Sequence, residues 1–182
     1  MKEQTVSGVR QLCMMAMMSA VMCVIAPLSI PIGSVPISAA TLVIYLSVYL
    51  LGTKMGTVSC AVYLMLGFAG LPVFSNYTGG AAKLLGPTGG YLAGYIFLAL
   101  VCGLFMEKSS YKMIWCIIGM IAGTAVLYVF GTVWFVIMMK CDIGYAVSAC
   151  VTPFIIGDLA KIIFSELAGR EIRKRLKIAG LI

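Results

Sequence analysis

The chain contains no histidine, and only 10% of its residues are charged. It has no C-x-x-C pair and no Gly-Lys-Ser/Thr closing a glycine-rich turn. Each absence removes a class of function. Without histidine the commonest general acid–base side chain is missing, and no serine or cysteine has an imidazole to activate it. The Cys and Cys/His metal spacings are missing as well, so neither a catalytic residue nor a metal is expected. Without the phosphate-cradling loop the chain is not itself an ATPase. It shows no second half or inverted repeat of the kind from which many self-contained transporters are built. A soluble domain is usually about 25% charged. A chain with less than half of that cannot cover a globule with polar surface, which argues against a soluble enzyme, a disordered protein and a nucleic-acid-binding module.

What the chain has instead is apolar length. Hydrophobic residues make up 62% of 182 residues, and the mean hydropathy is +1.09. This is the composition of an integral membrane protein embedded in a lipid bilayer. At about 20 residues per crossing, six crossings use about 120 residues, and the remainder holds no soluble domain. The expected fold is all-α: a polytopic bundle of six transmembrane helices forming one domain. The seven cysteines read as small apolar side chains. The net charge of +7 reads as basic residues flanking the spans rather than as a nucleic-acid surface.

Charges, prolines and glycines divide the chain. From Gln11 to Thr53 there is no charged residue, and Pro27, Pro31, Gly33 and Pro36 split that run. The spans fall at about 12–30, 35–51, 57–70, 91–106, 113–131 and 145–167, with a basic tail over 170–182. The fifth is ambiguous. The 27 uncharged residues from Met113 to Met139 would make a helix of about 40 Å, so it either tilts or ends near Phe130-Gly131. With six spans both termini share a side. That side collects ten Lys and Arg, while the other has Lys83 and Lys140, and Lys161 lies within a span. The excess marks the termini as cytoplasmic, so the glycine-rich connection 72–90 faces outward, as do the turns 31–36 and 131–144.

Three features could carry function. Asp158 and Lys161, three apart in the sixth span, share a helix face. Ionisable groups within a span are expensive and tend to face a polar cavity. The pair is either a ligand site or an ion pair that only fixes helix packing. Glu166 reads as an interfacial charge. The second feature is the loop 72–90, whose glycines permit close approach of backbone to a ligand and whose length suits a lid; the alternative is an ordinary flexible connection. The third is Ala16 and Ala20 in the first span, small residues four apart that let another helix approach. They form a partner-docking face or an ordinary lipid-facing or bundle contact.

Three segments then carry a resemblance: Gly70-Leu71-Pro72-Val73-Phe74, Gly86-Pro87-Thr88-Gly89-Gly90-Tyr91-Leu92, and Gly157-Asp158-Leu159-Ala160-Lys161. Together they resemble the BioY family, the biotin-binding S components of energy-coupling factor (ECF) transporters, over essentially the whole chain. The resemblance implies a six-helix bundle in a prokaryotic cell membrane. It would bind biotin as transported ligand, with no cofactor, and work with a transmembrane T component and two ATPase subunits. Asp158 is then expected to accept a ureido N–H, and Lys161 to meet the ureido carbonyl or the carboxylate. Asn76 and Tyr91 would add polar contacts, Gly80 and Gly89 would let the loop close, and Leu71, Val73 and Phe74 would supply apolar walls. Lys83 could steer the anionic tail or simply be solvated. Ala16 and Ala20 match the motif by which such components dock on the T component. The alternatives are an S component for another vitamin, a stand-alone carrier of biotin or a small organic anion, and a ligand-free membrane scaffold.

Overall fold

The structure is a computed structural model that describes residues 2–30 and 36–180. Its helices are α1 (Lys2–Ile25), α2 (Ala40–Phe68), α3 (Ala81–Leu84), α4 (Gly89–Lys108), α5 (Met113–Met139), α6 (Ile143–Cys150) and α7 (Phe154–Ile178). Beside them are a short 3₁₀ turn at Ser75–Tyr77 and a two-residue antiparallel ladder of β1 (Ser29–Ile30) and β2 (Ile37–Ser38). The described residues are all-α apart from that ladder and an isolated antiparallel bridge between Phe74 and Thr78. Among the described residues four helices are long and apolar enough to cross a membrane, or five if α6 and α7, bent by 43°, make one span.

α2 is not one straight rod. Gly52 sits at φ +83°, ψ 177°, a region essentially restricted to glycine. Eight residues of straight helix would separate positions 48 and 56 by about 12 Å. A Cβ at Gly56 would instead lie 2.8 Å from the Val48 Cα, so the chain reverses and 53–68 packs back along 40–51. A helix end leaves backbone groups without partners, and here other elements supply them. Arg173 Nη1 donates to the Tyr49 and Leu50 carbonyls at 2.6 and 3.2 Å, and the Thr53 N–H donates to Glu107 Oε1 at 2.7 Å.

Proline and glycine also explain where the helices depart from the expected spans. α1 stops at Ile25, short of residue 30, because Pro27 has no N–H and its ring collides with the preceding turn. Residues 29–30 pair with 37–38 instead, so α2 begins at Ala40 rather than near 35. The expected turn 31–36 lies mostly outside the described residues. α5 continues through Gly131 to Met139 and ends where Lys140 turns left-handed at φ +49°. Gly131 is a packing site rather than a stop, because the Tyr91 ring occupies the space a Cβ would need. The sixth expected span is broken before Pro153 into α6 and α7. The Asp142 carboxylate caps α6 by accepting the Gly144 N–H at 2.8 Å.

α4 and α5 approach closely through glycine. A Cβ at Gly94 would lie 2.8 Å from Leu127, and one at Gly123 would lie 2.5 Å from the Cys102 sulfur. Small residues of this kind let helices pack without a hydrophobic driving force between them. The core they enclose contains Tyr45, Tyr49, Tyr63, Leu98, Met106 and Met120, all essentially buried. A smaller cluster of Phe135, Ala146, Cys150 and Phe154 closes the end where α5, α6 and α7 meet. Large apolar side chains remain exposed along α5 and α7, Val133, Ile137, Ile156 and Ile163 among them. That is the surface a bilayer covers.

Candidate ligand-binding site

The two ends of the bundle differ in chemistry. One end holds the Gly52 reversal, the α4–α5 turn and the basic end of α7. The other holds the β1–β2 ladder, the segment 69–88 and the start of α7. Asp158 lies in the second turn of α7 at this latter end, beside Thr41 in the first turn of α2. It is 5% exposed, yet it lines a cavity.

Its environment is polar and well ordered. Lys161 Nζ donates to Asp158 Oδ1 at 2.9 Å, and the Tyr128 hydroxyl donates to Oδ2 at 2.6 Å. The Thr41 hydroxyl adds a long contact to Oδ1 at 3.5 Å. A carboxylate has about four acceptor positions, so these three donors leave one open. Lys161 has no such reserve. Its three protons are matched by Asp158, the Ser38 carbonyl at 2.7 Å and Thr41 Oγ1 at 3.3 Å. A ligand oxygen can reach the ammonium only by displacing one of these acceptors.

The cavity around the pair measures about 50 Å³. Tyr91, Tyr95, Tyr128 and Phe154 give it aromatic walls, and Ser75, Lys83 and Thr88 close it from the 69–88 segment. Aromatic faces with a few convergent polar groups are the usual lining of a small-molecule site. No group of three or more His, Cys, Asp or Glu side chains among the described residues could hold a metal.

The expected site residues separate into two sets. Asp158, Lys161, Tyr91 and Lys83 come together around the cavity. The Tyr91 hydroxyl donates to the Cys150 carbonyl at 3.1 Å rather than to Asp158. Asn76, left-handed at φ +60°, lies in an adjoining hollow that shares Ser38 and Lys161 with the cavity. It accepts from the Ser29 hydroxyl at 2.8 Å and returns its own N–H to that oxygen at 2.9 Å, tying the 3₁₀ turn to β1.

Gly80 opens α3 at φ +88° and donates to the Gly67 carbonyl at 2.7 Å. Gly89 sits against the Leu84 carbonyl. Both shape the covering segment without lining the cavity. Phe74 is fully buried, edge-on to Tyr63 at 5.7 Å and over Gly67, so it anchors the segment. Val73 is buried with it, while Leu71 is 47% exposed. Ser38, Thr41, Tyr95, Tyr128 and Phe154 were not anticipated. In sequence they are ordinary polar or aromatic residues of apolar spans, and only packing brings them to Asp158. Ala16 and Ala20 lie on an exposed face of α1 with Leu12 and Met17, opposite the buried Met18, Ser19 and Met22.

The family model described as the BioY family matches residues 1–178. The chain belongs to the BioY family. Its BioY relatives include the biotin transporter BioY of Thermotoga maritima, 40% identical over 166 residues, which are 91% of this chain and 96% of that protein. Biotin transporter BioY2 of Lactococcus lactis is 33% identical, covering 91% of each chain. A solved structure, the S-component for biotin from an ECF-type ABC transporter, superposes with a TM-score of 0.85 at 31% identity, covering 92% of each chain.

Proposed function

We propose that this chain is the biotin-binding membrane subunit of an ECF-type vitamin importer, and that the cavity at Asp158 receives the ureido ring. Asp158 carries the reading. It is a buried carboxylate with one acceptor position open to a cavity walled by tyrosines, and a ureido N–H is the donor that fits there. The relatives' biotin-transporter names and the superposed biotin S-component support the same ligand. Lys161 would exchange one of its backbone or hydroxyl partners for the ureido carbonyl or the carboxylate. A cavity of about 50 Å³ is well below the roughly 150 Å³ that takes up a benzene ring. A bicyclic vitamin therefore requires the covering segment 69–88 to lift, and the Asn76–Ser29 contact and the Trp134 Nε1 bond to the Gly86 carbonyl at 2.9 Å would be its latches.

The bundle would cross the membrane six times in a prokaryotic cell membrane, with both termini in the cytoplasm. The reversal at Gly52 supports the sixth pass, and the Lys/Arg distribution supports the orientation. ATP hydrolysis would belong to two partner subunits, coupled through a T component that meets α1 at Ala16 and Ala20.

Purified protein should bind biotin, with thiamine and riboflavin failing to compete. Asp158→Ala should weaken binding by at least about a hundredfold, corresponding to about 3 kcal/mol. Titration calorimetry on both proteins checks this. Unchanged affinity in the variant would remove Asp158 from the site, and competition by another vitamin would reassign the ligand.

A further inference from the structure

The end of the bundle opposite the cavity carries lysines that stand in no ion pair among the described residues. Among the described residues the ion pairs are Lys161–Asp158, Arg170–Glu166 and Arg175–Glu171. Lys108 at the end of α4 and Lys112 just before α5 are in none of them, and both are exposed. The nearby Glu107 carboxylate accepts the Thr53 N–H and is likewise in none of these ion pairs. These two lysines, with Ser109 and Ser110, line one side of a hollow of about 550 Å³. The other side is apolar, formed by Leu104, Phe105 and Trp115, and Leu104 and Trp115 are each 48% exposed. Ser110 and Lys112 also line a second hollow of about 550 Å³, beside Arg170, Lys174 and Lys177 of α7.

We infer that the hollow at the α4–α5 turn is a seat for an anionic phospholipid of the cytoplasmic leaflet. The lysines and the Ser110 hydroxyl would hold the headgroup phosphate, the Ser109 hydroxyl already donating to the Met106 carbonyl at 3.1 Å. The glycerol and first acyl carbons would lie on Leu104, Phe105 and Trp115, and α5 also exposes Ile114, Ile118 and Ile121. A free phosphate has no use for an apolar wall, and a soluble acidic protein would not reach a surface that continues into lipid-facing helix. Basic pockets between spans on the cytoplasmic side suit such headgroups. Tryptophan at the same level is an interfacial anchor. The neighbouring lysines of α7 add attraction without forming the seat. This inference depends on the inward orientation proposed above and is independent of biotin.

The test uses full-length protein in nanodiscs of mixed phosphatidylcholine and phosphatidylglycerol, followed by native mass spectrometry of retained lipid. Wild type should retain phosphatidylglycerol in preference to phosphatidylcholine. Lys108→Gln/Lys112→Gln should retain it on the order of tenfold less, while Lys174→Gln/Lys177→Gln retains it nearly fully. Biotin affinity, measured on the same preparations, should be equal in all three proteins. Equal retention by the Lys108/Lys112 variant and wild type would overturn the inference. So would equal loss in the α7 variant, which indicates a diffuse basic surface, or displacement by millimolar inorganic phosphate, which indicates a soluble-anion site. If the double variant does not fold, Lys112→Gln alone provides the same comparison.

Discussion

Asp158 and Lys161 satisfy each other, which by itself could mean that they only pin α7 to α2. The two roles separate on energetic grounds. A mostly buried ion pair that loses one partner leaves a charge without solvation, at a cost of about 3–5 kcal/mol, whereas replacing both partners by apolar groups of similar volume is often neutral. Lys161→Met should therefore lower the thermal midpoint markedly, and Asp158→Leu/Lys161→Met should recover most of it. If the pair is also the ligand site, the recovered double variant still fails to bind biotin. Detergent-solubilised thermal unfolding, with biotin titration of each variant, gives both readings. A double variant that is stable and binds at wild-type affinity would reduce the pair to a packing device. Part of this was visible in the sequence, because two charges three apart in an apolar span are expensive enough to demand a reason. Tyr128, which donates to Asp158 at 2.6 Å, was not visible. It lies 30 residues away in a span with many candidate polar side chains, and no local pattern selects it.

At the scale of elements, the reversal in α2 shows what local signals reveal and what they omit. Lys54 after a long apolar run marked a boundary, and the helices do divide there. The means of division was hidden, because it depends on groups from elsewhere. In the sequence Glu107 lies between the expected fourth and fifth spans and Arg173 in the expected basic tail. In the fold they satisfy the backbone on either side of Gly52, and Arg173 also lies 3.6 Å over the Tyr111 ring. The break at Pro153 went unread, because the expected sixth span ran through it from 145 to 167, while Pro27 marked the end of α1 only to within a few residues, the expected first span running on to 30. Gly131 was misleading, because a glycine that admits a neighbour's ring looks in sequence like one that ends a helix. Gly52→Ala should be costly for two reasons. Its φ of +83° strains any side chain, and the new Cβ would lie 2.6 Å from Glu107 Oε1. A loss of about 1–3 kcal/mol is expected from the backbone strain, read as a lower thermal midpoint, with Gly56→Ala destabilising also by forcing 53–68 away from Val48. Wild-type stability of Gly52→Ala would mean that the reversal does not depend on this residue's conformation.

For the molecule as a whole, the bundle places its ligand chemistry and its unpartnered surfaces in different places, and that separation is testable. The cavity sits among α2, α4, α5 and α7, while α1 turns Met18, Ser19 and Met22 inward, the Ser19 hydroxyl reaching the Ser59 carbonyl at 2.9 Å. The face of α1 bearing Ala16 and Ala20 is exposed and does not line the cavity. If ATP hydrolysis by partner subunits drives the import proposed above, it must act through a surface that the bundle leaves open. Ala16→Trp/Ala20→Trp adds bulk to that surface without touching the cavity or the core. Biotin affinity in detergent should stay within about twofold of wild type, because the change is remote from the site and such effects are near additive beyond about 10 Å. Accumulation of labelled biotin by cells expressing the complete importer should fall to background, since close approach of helices depends on small residues at the contact. Normal accumulation with normal affinity would move the docking surface to another face. Loss of both would show that α1 is coupled to the cavity through the bundle rather than acting only as an outer contact.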